Sequence, residues 1–373
     1  MGTDVKTTLI LNSTFVRPAA FYISGFTDIP HINYFYVFLC FVYIVTVLGN
    51  GFLMAVICLM KTLHTPKYII VFNLALTDLC GSTALIPKLL DTFLFGNRYI
   101  VYEACLSYMF FVLLFLGMQS YILLTMAFDR FVAICFPLRY HAIVTKKSVG
   151  AMLLFSWLYV AVTSGTGVKL IDRLSFCESL VLKSFFCDHG PIIYLACNDT
   201  SLNKMMGFIA LIGVVCIPFV LIGVTYVCIS VALIRIASGQ ERFRALKTCT
   251  SHLILVAIFF LPLFGTNMAA LTSTIHPNAR IINSTLTHTI PPLLDPLIYA
   301  LKTEEVLTAI KTLFKRARLN LTPFRRNSVI SSNNSHIHYI HYAFLTPATE
   351  ECTVVQAISS AFVPAASKPD TVG

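Results

Sequence analysis

The chain has 373 residues, of which 57% are hydrophobic and 12% charged, and its mean hydropathy is +0.79. A soluble domain carries about 25% charged residues, so this composition excludes a large soluble core and implies a membrane protein that crosses the bilayer many times. The net charge of +10 would suit nucleic acid if it formed one patch, but its placement along the chain assigns it to one side of a membrane.

Residues 1–33 have no basic leader and no continuous apolar core, so no cleavable signal peptide is expected and the first apolar run serves as its own insertion signal. They read as an extracellular N-terminus, with a glycosylation sequon at Asn12-Ser13-Thr14. Apolar runs follow at roughly 34–60, 68–93, 104–134, 149–168, 204–237, 245–271 and 280–301. Each reaches the ~20 residues that a helix needs to cross the hydrocarbon. Of the 27 Lys and Arg, the first, third and fifth turns plus the tail hold 18, among them Lys61, Lys67, Arg130, Arg139, Arg242, Lys247 and Lys315. The positive-inside rule then puts the N-terminus outside and the tail inside.

Four of the twelve cysteines fall on the predicted outer side: Cys105, Cys177, Cys187 and Cys197. An even number in an oxidising compartment suggests two bridges, and spacing alone leaves three pairings open. Most of the other cysteines lie in spans or at the inner face and read as packing residues.

Polar residues inside the apolar runs mark candidate sites, because charge at that depth is costly. The third run ends in MAFDRFVAICFPLRY, with Asp129-Arg130 at its edge. The Asp can hold the guanidinium in a resting pose, and release would let Arg130 reach a partner entering from the cytosol. The alternative is an Arg that merely anchors the helix end. Asp78 and Asp295 lie mid-membrane, where a carboxylate must be protonated, paired or metal-bound. With Asn50, Gln119 and Ser120 they form a candidate polar core, which either holds Na⁺ or shares a proton within a hydrated network. Pro218, Pro262 and Pro296 interrupt the fifth, sixth and seventh spans, and proline permits kinks there.

Beyond residue 301, Val306, Leu307, Ile310, Leu313 and Phe314 recur at helical spacing among basic residues. Residues 302–318 are expected to form an amphipathic helix on the inner membrane surface. Residues 319–373 lack a period and read as a disordered cytoplasmic tail.

Five stretches carry a family resemblance. They are Gly49-Asn50, LHTPKYIIVFNLALTDL, MAFDRFVAICFPLRY, RALKTCTSH and PPLLDPLIYALKTEEV. Together they resemble the odorant receptors, within the rhodopsin-like G-protein-coupled receptors, over about residues 12–318. Lys67 stands where that family usually has Met, Phe128 and Phe131 where tyrosines are usual, Asp295 where Asn is usual and Gln119 where Glu is frequent.

The resemblance implies an all-α membrane protein. Its fold would be a seven-transmembrane bundle over 34–301 with a short amphipathic eighth helix. It implies the pairs Cys105–Cys187 and Cys177–Cys197, the first pinning the long outer loop as a lid. It implies that Asp129 and Arg130 form the coupling switch and that Tyr226 and Tyr299 meet Arg130 in the active state. The ligand would sit beneath the lid. Counting helical turns inward from Cys105 selects Val112, Leu113, Leu116 and Gly117. The same reasoning from the three prolines selects Ala210, Leu211, Val214, Phe260, Leu263, Phe264, Asn267, Thr285, His288 and Thr289. This lining suits a small, partly apolar ligand with one hydrogen-bonding group, and it has no acid on the third span to pair an amine.

The implied partners are a small odorant, a stimulatory olfactory-type G protein that raises cAMP, and membrane lipids, at the plasma membrane. No cofactor is expected beyond the possible Na⁺. No enzyme is expected either, since there is no H-E-x-x-H, nucleophile elbow or phosphate loop. The nearest alternative is a non-olfactory rhodopsin-like receptor for another small ligand, against which RALKTCTSH and the triple-cysteine lid argue. A transporter or channel fits less well, because neither repeats nor an aligned charged pathway are visible.

Overall fold

A computed structural model describes residues 16–26, 31–177, 179–235, 239–271, 277–302 and 305–315. Its frame is seven long helices: α1 (Asn33–Leu59), α2 (Pro66–Phe93), α3 (Tyr102–Cys135), α4 (Lys146–Ile171), α5 (Ser201–Arg235), α6 (Gly239–Leu271) and α7 (Pro277–Lys302). In hydrocarbon every backbone amide must be satisfied within its own segment, so long apolar runs fold as helices. Their starts are marked locally. Pro66 opens α2, where its missing N–H costs nothing. Thr145 and Ser148 cap α4 reciprocally, with backbone-to-hydroxyl bonds of 2.9 and 3.1 Å.

Helices α1 to α6 are each long and apolar enough to span a bilayer. Helix α7 is more polar, carrying Asn283, Ser284, Thr285, Thr287, His288 and Thr289. It is packed among α1, α2 and α6, and its threonines return their hydroxyls to their own helix at 2.8–2.9 Å. Helix α3 runs through the centre, against α2, α4, α5 and α6. The outer faces of α1, α4 and α5 expose Phe41, Leu48, Leu154, Phe155, Val162 and Val227. An apolar belt of this kind belongs against lipid.

The prolines shape α5 and α7, and neighbours satisfy the carbonyls they strand. Pro218 cannot donate to the carbonyl of Val214, four residues back. Ser120 Oγ takes that carbonyl at 2.7 Å, next to a π-helical segment, Leu211–Cys216, within α5. The neighbouring Gly213 carbonyl accepts from the Tyr121 hydroxyl at 2.9 Å. Pro296 strands the carbonyl of Pro292, and Asn50 Nδ2 donates to it at 2.9 Å. Gly49 lets α1 approach closely, since a Cβ there would press on the Pro296 ring.

One departure from the all-helical expectation is a small three-stranded sheet at the disulfide end, built from β1 (Ala20–Ile23), β2 (Tyr99–Val101) and β3 (Val181–Leu182) in the order β2-β1-β3. β1 runs antiparallel to β2 with Phe21 opposite Ile100, and parallel to β3 with Tyr22 opposite Val181. Phe21 and Ile23 have no exposed surface. Gly25 follows at φ +64, against the Phe93 ring, where no Cβ would fit. Thus part of the N-terminal segment is woven into the lid.

Cys105 is bonded to Cys187 and Cys177 to Cys197, with Cα separations of 5.5 and 5.9 Å. Residues 305–315 are helical, with Val306 and Ala309 buried against the bundle. Lys302 closes α7, whereas Asn12, residues 303–304 and 316–318 of the expected 302–318 helix and the tail from 319 lie outside the described residues.

Candidate functional site

Three layers of polar residues run along the bundle. At the end opposite the disulfides, Arg130 pairs with Asp129 at 2.9 Å. The same carboxylate accepts the Tyr140 hydroxyl at 2.7 Å. Asp129 is almost fully buried, while the Arg130 side chain keeps 20% of its surface. Tyr226 and Tyr299 do not bond to Arg130. The Tyr226 hydroxyl lies 2.8 Å from His252 Nδ1, and the Tyr299 hydroxyl lies 3.1 Å from Met126 Sδ. His252 Nε2 lies 3.1 Å from the Leu123 carbonyl, so Nε2 carries the proton and Nδ1 receives that of Tyr226. The cation is held by its own neighbour on α3.

A cavity of about 550 Å³ opens beside Arg130, lined by Lys67, Met126, Asp129, Lys247, Ser251, His252, Tyr299 and Glu305 among others. Lys67 pairs with Glu305 at 2.9 Å, and the Tyr68 hydroxyl also donates to Glu305. Burial alone would raise the Glu305 carboxyl, but the Tyr68 and Lys67 hydrogen bonds outweigh it and hold its pKa below the usual value. The roles of Tyr140, His252 and Glu305 were not read from the sequence. Their partners are 11, 26 and 238 positions away, beyond any helical period.

At mid-depth, Gln119 Nε2 donates to Asp78 Oδ1 at 2.6 Å, and Asp295 on α7 faces the same carboxyl. Both carboxyls are buried. Asn50 sits nearby on α1, bound through Nδ2 to the Thr46 and Pro292 carbonyls. Ser120 also has a second commitment. Its hydroxyl turns to α5, because the Val214 carbonyl freed by Pro218 needs a donor. Thr46 Oγ1, Asn50 Oδ1, Asp78 Oδ2 and Ser82 Oγ are buried without a hydrogen-bond partner among the described residues. Oxygen donors flanking carboxylates are the set that a hard cation takes, so these residues fit Na⁺. No cluster of three His, Cys, Asp or Glu occurs among the described residues.

The third layer lies beneath the lid. His288 on α7 has its ring 5.5 and 6.4 Å from those of Phe186 and Phe185, which immediately precede Cys187. Leu113, Leu116, Ala210, Leu211, Val214, Phe264, Asn267 and His288 keep part of their surface accessible. Val112, Gly117, Phe260, Leu263, Thr285 and Thr289 are buried. Gly117 is a close-packing position, where a Cβ would collide with Val160 and Val214. Thr285 and Thr289 have no accessible surface at all. Phe260 packs among Phe219, Phe259 and Phe264 with ring centroids 4.9–6.1 Å away. Helical counting alone does not separate residues facing a hollow from residues filling a helix contact.

The olfactory receptor family model matches residues 39–317, which include all seven long helices apart from the first turns of α1. The chain belongs to the olfactory receptor family. This olfactory receptor is 34% identical over 293 residues to Olfactory receptor 1 of Rattus norvegicus, covering 78% of its own length and 92% of the relative. It is 36% identical over 304 residues to Olfactory receptor 51F2 of Homo sapiens, covering 81% and 89%. It is 34% identical over 292 residues to Olfactory receptor 1S1 of Homo sapiens, covering 78% and 89%. As a member of a receptor family with six described helices long and apolar enough to cross a bilayer, it is a multi-pass membrane protein.

Proposed function

We propose that this olfactory receptor binds a small odorant beneath the lid and activates a stimulatory olfactory-type G protein that raises cAMP. In this reading it sits in the plasma membrane with its N-terminus outside. The observation that carries the reading is the state of Arg130. The cation is held at 2.9 Å by Asp129 at the rim of a cavity of about 550 Å³, while Tyr226 and Tyr299 are bonded elsewhere. A bistable polar contact at one end of a bundle, with a lidded layer at the other, is the arrangement by which a ligand shifts a two-state equilibrium. The carboxyls of Asp78 and Asp295 lie between the two ends. Asn50, Asp78, Gln119 and Asp295 would hold Na⁺ there, or the two acids would share a proton. Residues 302–318 would lie along the inner membrane surface.

The test is a panel of volatile small molecules on cells expressing the receptor with a stimulatory G protein and a cAMP reporter. A dose-dependent rise in cAMP supports the reading. Response only to peptide hormones or biogenic amines overturns the odorant assignment. A ligand-evoked current without cAMP would indicate a channel.

A further inference from the structure

Two of the polar groups beneath the lid have already given away their protons. His288 Nδ1 lies 2.7 Å from the Ser284 carbonyl, which can only accept, so Nδ1 carries the hydrogen. In the neutral ring Nε2 is then a bare acceptor. The Tyr108 hydroxyl, whose ring contacts Phe186 of the lid at 6.2 Å, donates to the Leu85 carbonyl at 2.9 Å. Its oxygen is left with lone pairs only. Asn267 donates one N–H to the Leu263 carbonyl at 2.8 Å, keeping its carbonyl oxygen and a second N–H. The accessible candidates on α3 and α5, such as Leu113, Leu116 and Leu211, are apolar.

A helix backbone normally satisfies its own carbonyls. Here side chains at helical spacing bond the carbonyl four residues back, as in His288 to Ser284 and Asn267 to Leu263, and this fixes which face of each polar group remains for a ligand. Two of the three groups offer acceptors alone. At His288 and Tyr108 an ester, ketone or ether, which brings only acceptors, would place lone pair against lone pair and leave these groups unpaired. A site built to receive a proton rejects an analogue that lacks one far more strongly than an apolar wall discriminates by size.

We infer that the lidded layer selects odorants carrying a hydrogen-bond donor, namely alcohols, phenols or thiols on a small apolar frame, and that His288 Nε2 receives the donor. This rests on the reading of the chain as an odorant receptor. It adds the polarity of the ligand, which that reading leaves open.

The experiment compares matched sets of equal chain length: a primary alcohol, its methyl ether and the corresponding aldehyde, with a phenol and its anisole as a second series. Each is titrated by cAMP reporter on the unaltered receptor and on His288→Phe and His288→Gln at matched surface expression. The donor-bearing member of each series should be more potent by about tenfold, the worth of one buried hydrogen bond. His288→Phe, which keeps a ring under Phe185 and Phe186, should erase that preference while leaving any weak response to ethers in place. His288→Gln, which retains an acceptor, should recover part of it. Ethers or aldehydes as potent as the alcohols, or a preference that survives His288→Phe, overturn the inference and leave the odorant-receptor reading standing. No response to any volatile compound, beside a control receptor that signals, overturns both.

Discussion

Lys67 and Glu305 form an ion pair of 2.9 Å that ties the first turn of α2 to the helical segment 305–315. Tyr68, the next residue, donates to the same carboxylate, so Glu305 is gripped twice. Lys67 stands where the family resemblance leads one to expect Met, a side chain with no charge to offer Glu305. Both partners line the cavity beside Arg130.

The first prediction is a double-mutant cycle on this pair. Lys67→Met and Glu305→Gln should each lower thermal stability in detergent by less than about 1 kcal/mol, because the pair is partly exposed. The double variant should cost less than the sum. Strict additivity would mean that the pair contributes nothing. The pH dependence has a defined sign. Glu305 titrates below its unfolded value, so its contribution is complete above that value and is lost as pH falls through the folded pKa. Glu305→Gln should flatten this acid limb of the stability profile.

Tyr140 holds Asp129 from the side away from Arg130. Tyr140→Phe removes one hydrogen bond to a buried, ion-paired carboxylate, worth about 1.5–3 kcal/mol, or about a tenfold or larger shift between resting and active states. Ligand-independent cAMP should rise in this variant at matched surface expression. Arg130→Ala should instead abolish signalling and leave odorant binding largely intact, because the lidded layer lies at the other end of the bundle. Unchanged agonist-evoked cAMP in Arg130→Ala would remove the switch role.

Ser120 separates a kink-satisfying role from a cation-binding role. Ser120→Ala leaves the Val214 carbonyl unpaired beside the π-helical segment and should cost about 1–3 kcal/mol of stability. Its response to Na⁺ should match that of the unaltered receptor. A Na⁺ response lost without a change in stability would return Ser120 to the carboxylate group.

Asp78 and Asp295 face each other in one buried site, so their substitutions should not be additive. Asp295→Asn should alter basal activity and Na⁺ sensitivity, and Asp78→Asn should add little on top. Basal and agonist-evoked cAMP for both singles and the double, with and without Na⁺, measure the coupling. Additive effects with no Na⁺ dependence would separate the two residues.

The sequence by itself determined the membrane class, the helical runs and the family motifs. Length of apolar run, charge sidedness and motif wording are local properties, and hydrocarbon allows such a run few conformations besides a helix. It also singled out candidate residues, because a charge or amide inside an apolar run is costly enough to stand out. Tertiary structure decided what each residue faces. Ser120 and Asn50 look alike in sequence as polar residues in apolar spans, yet each answers a carbonyl stranded by a proline on another helix. Gly117, Thr285 and Thr289 share a helical face with pocket candidates and are buried in packing instead. The strand Ala20–Ile23 was hidden because its partners lie some 80 and 160 residues away and strand pairing is a long-range choice. Periodicity reports which side of a helix is special. Only the neighbouring helices say what that side touches.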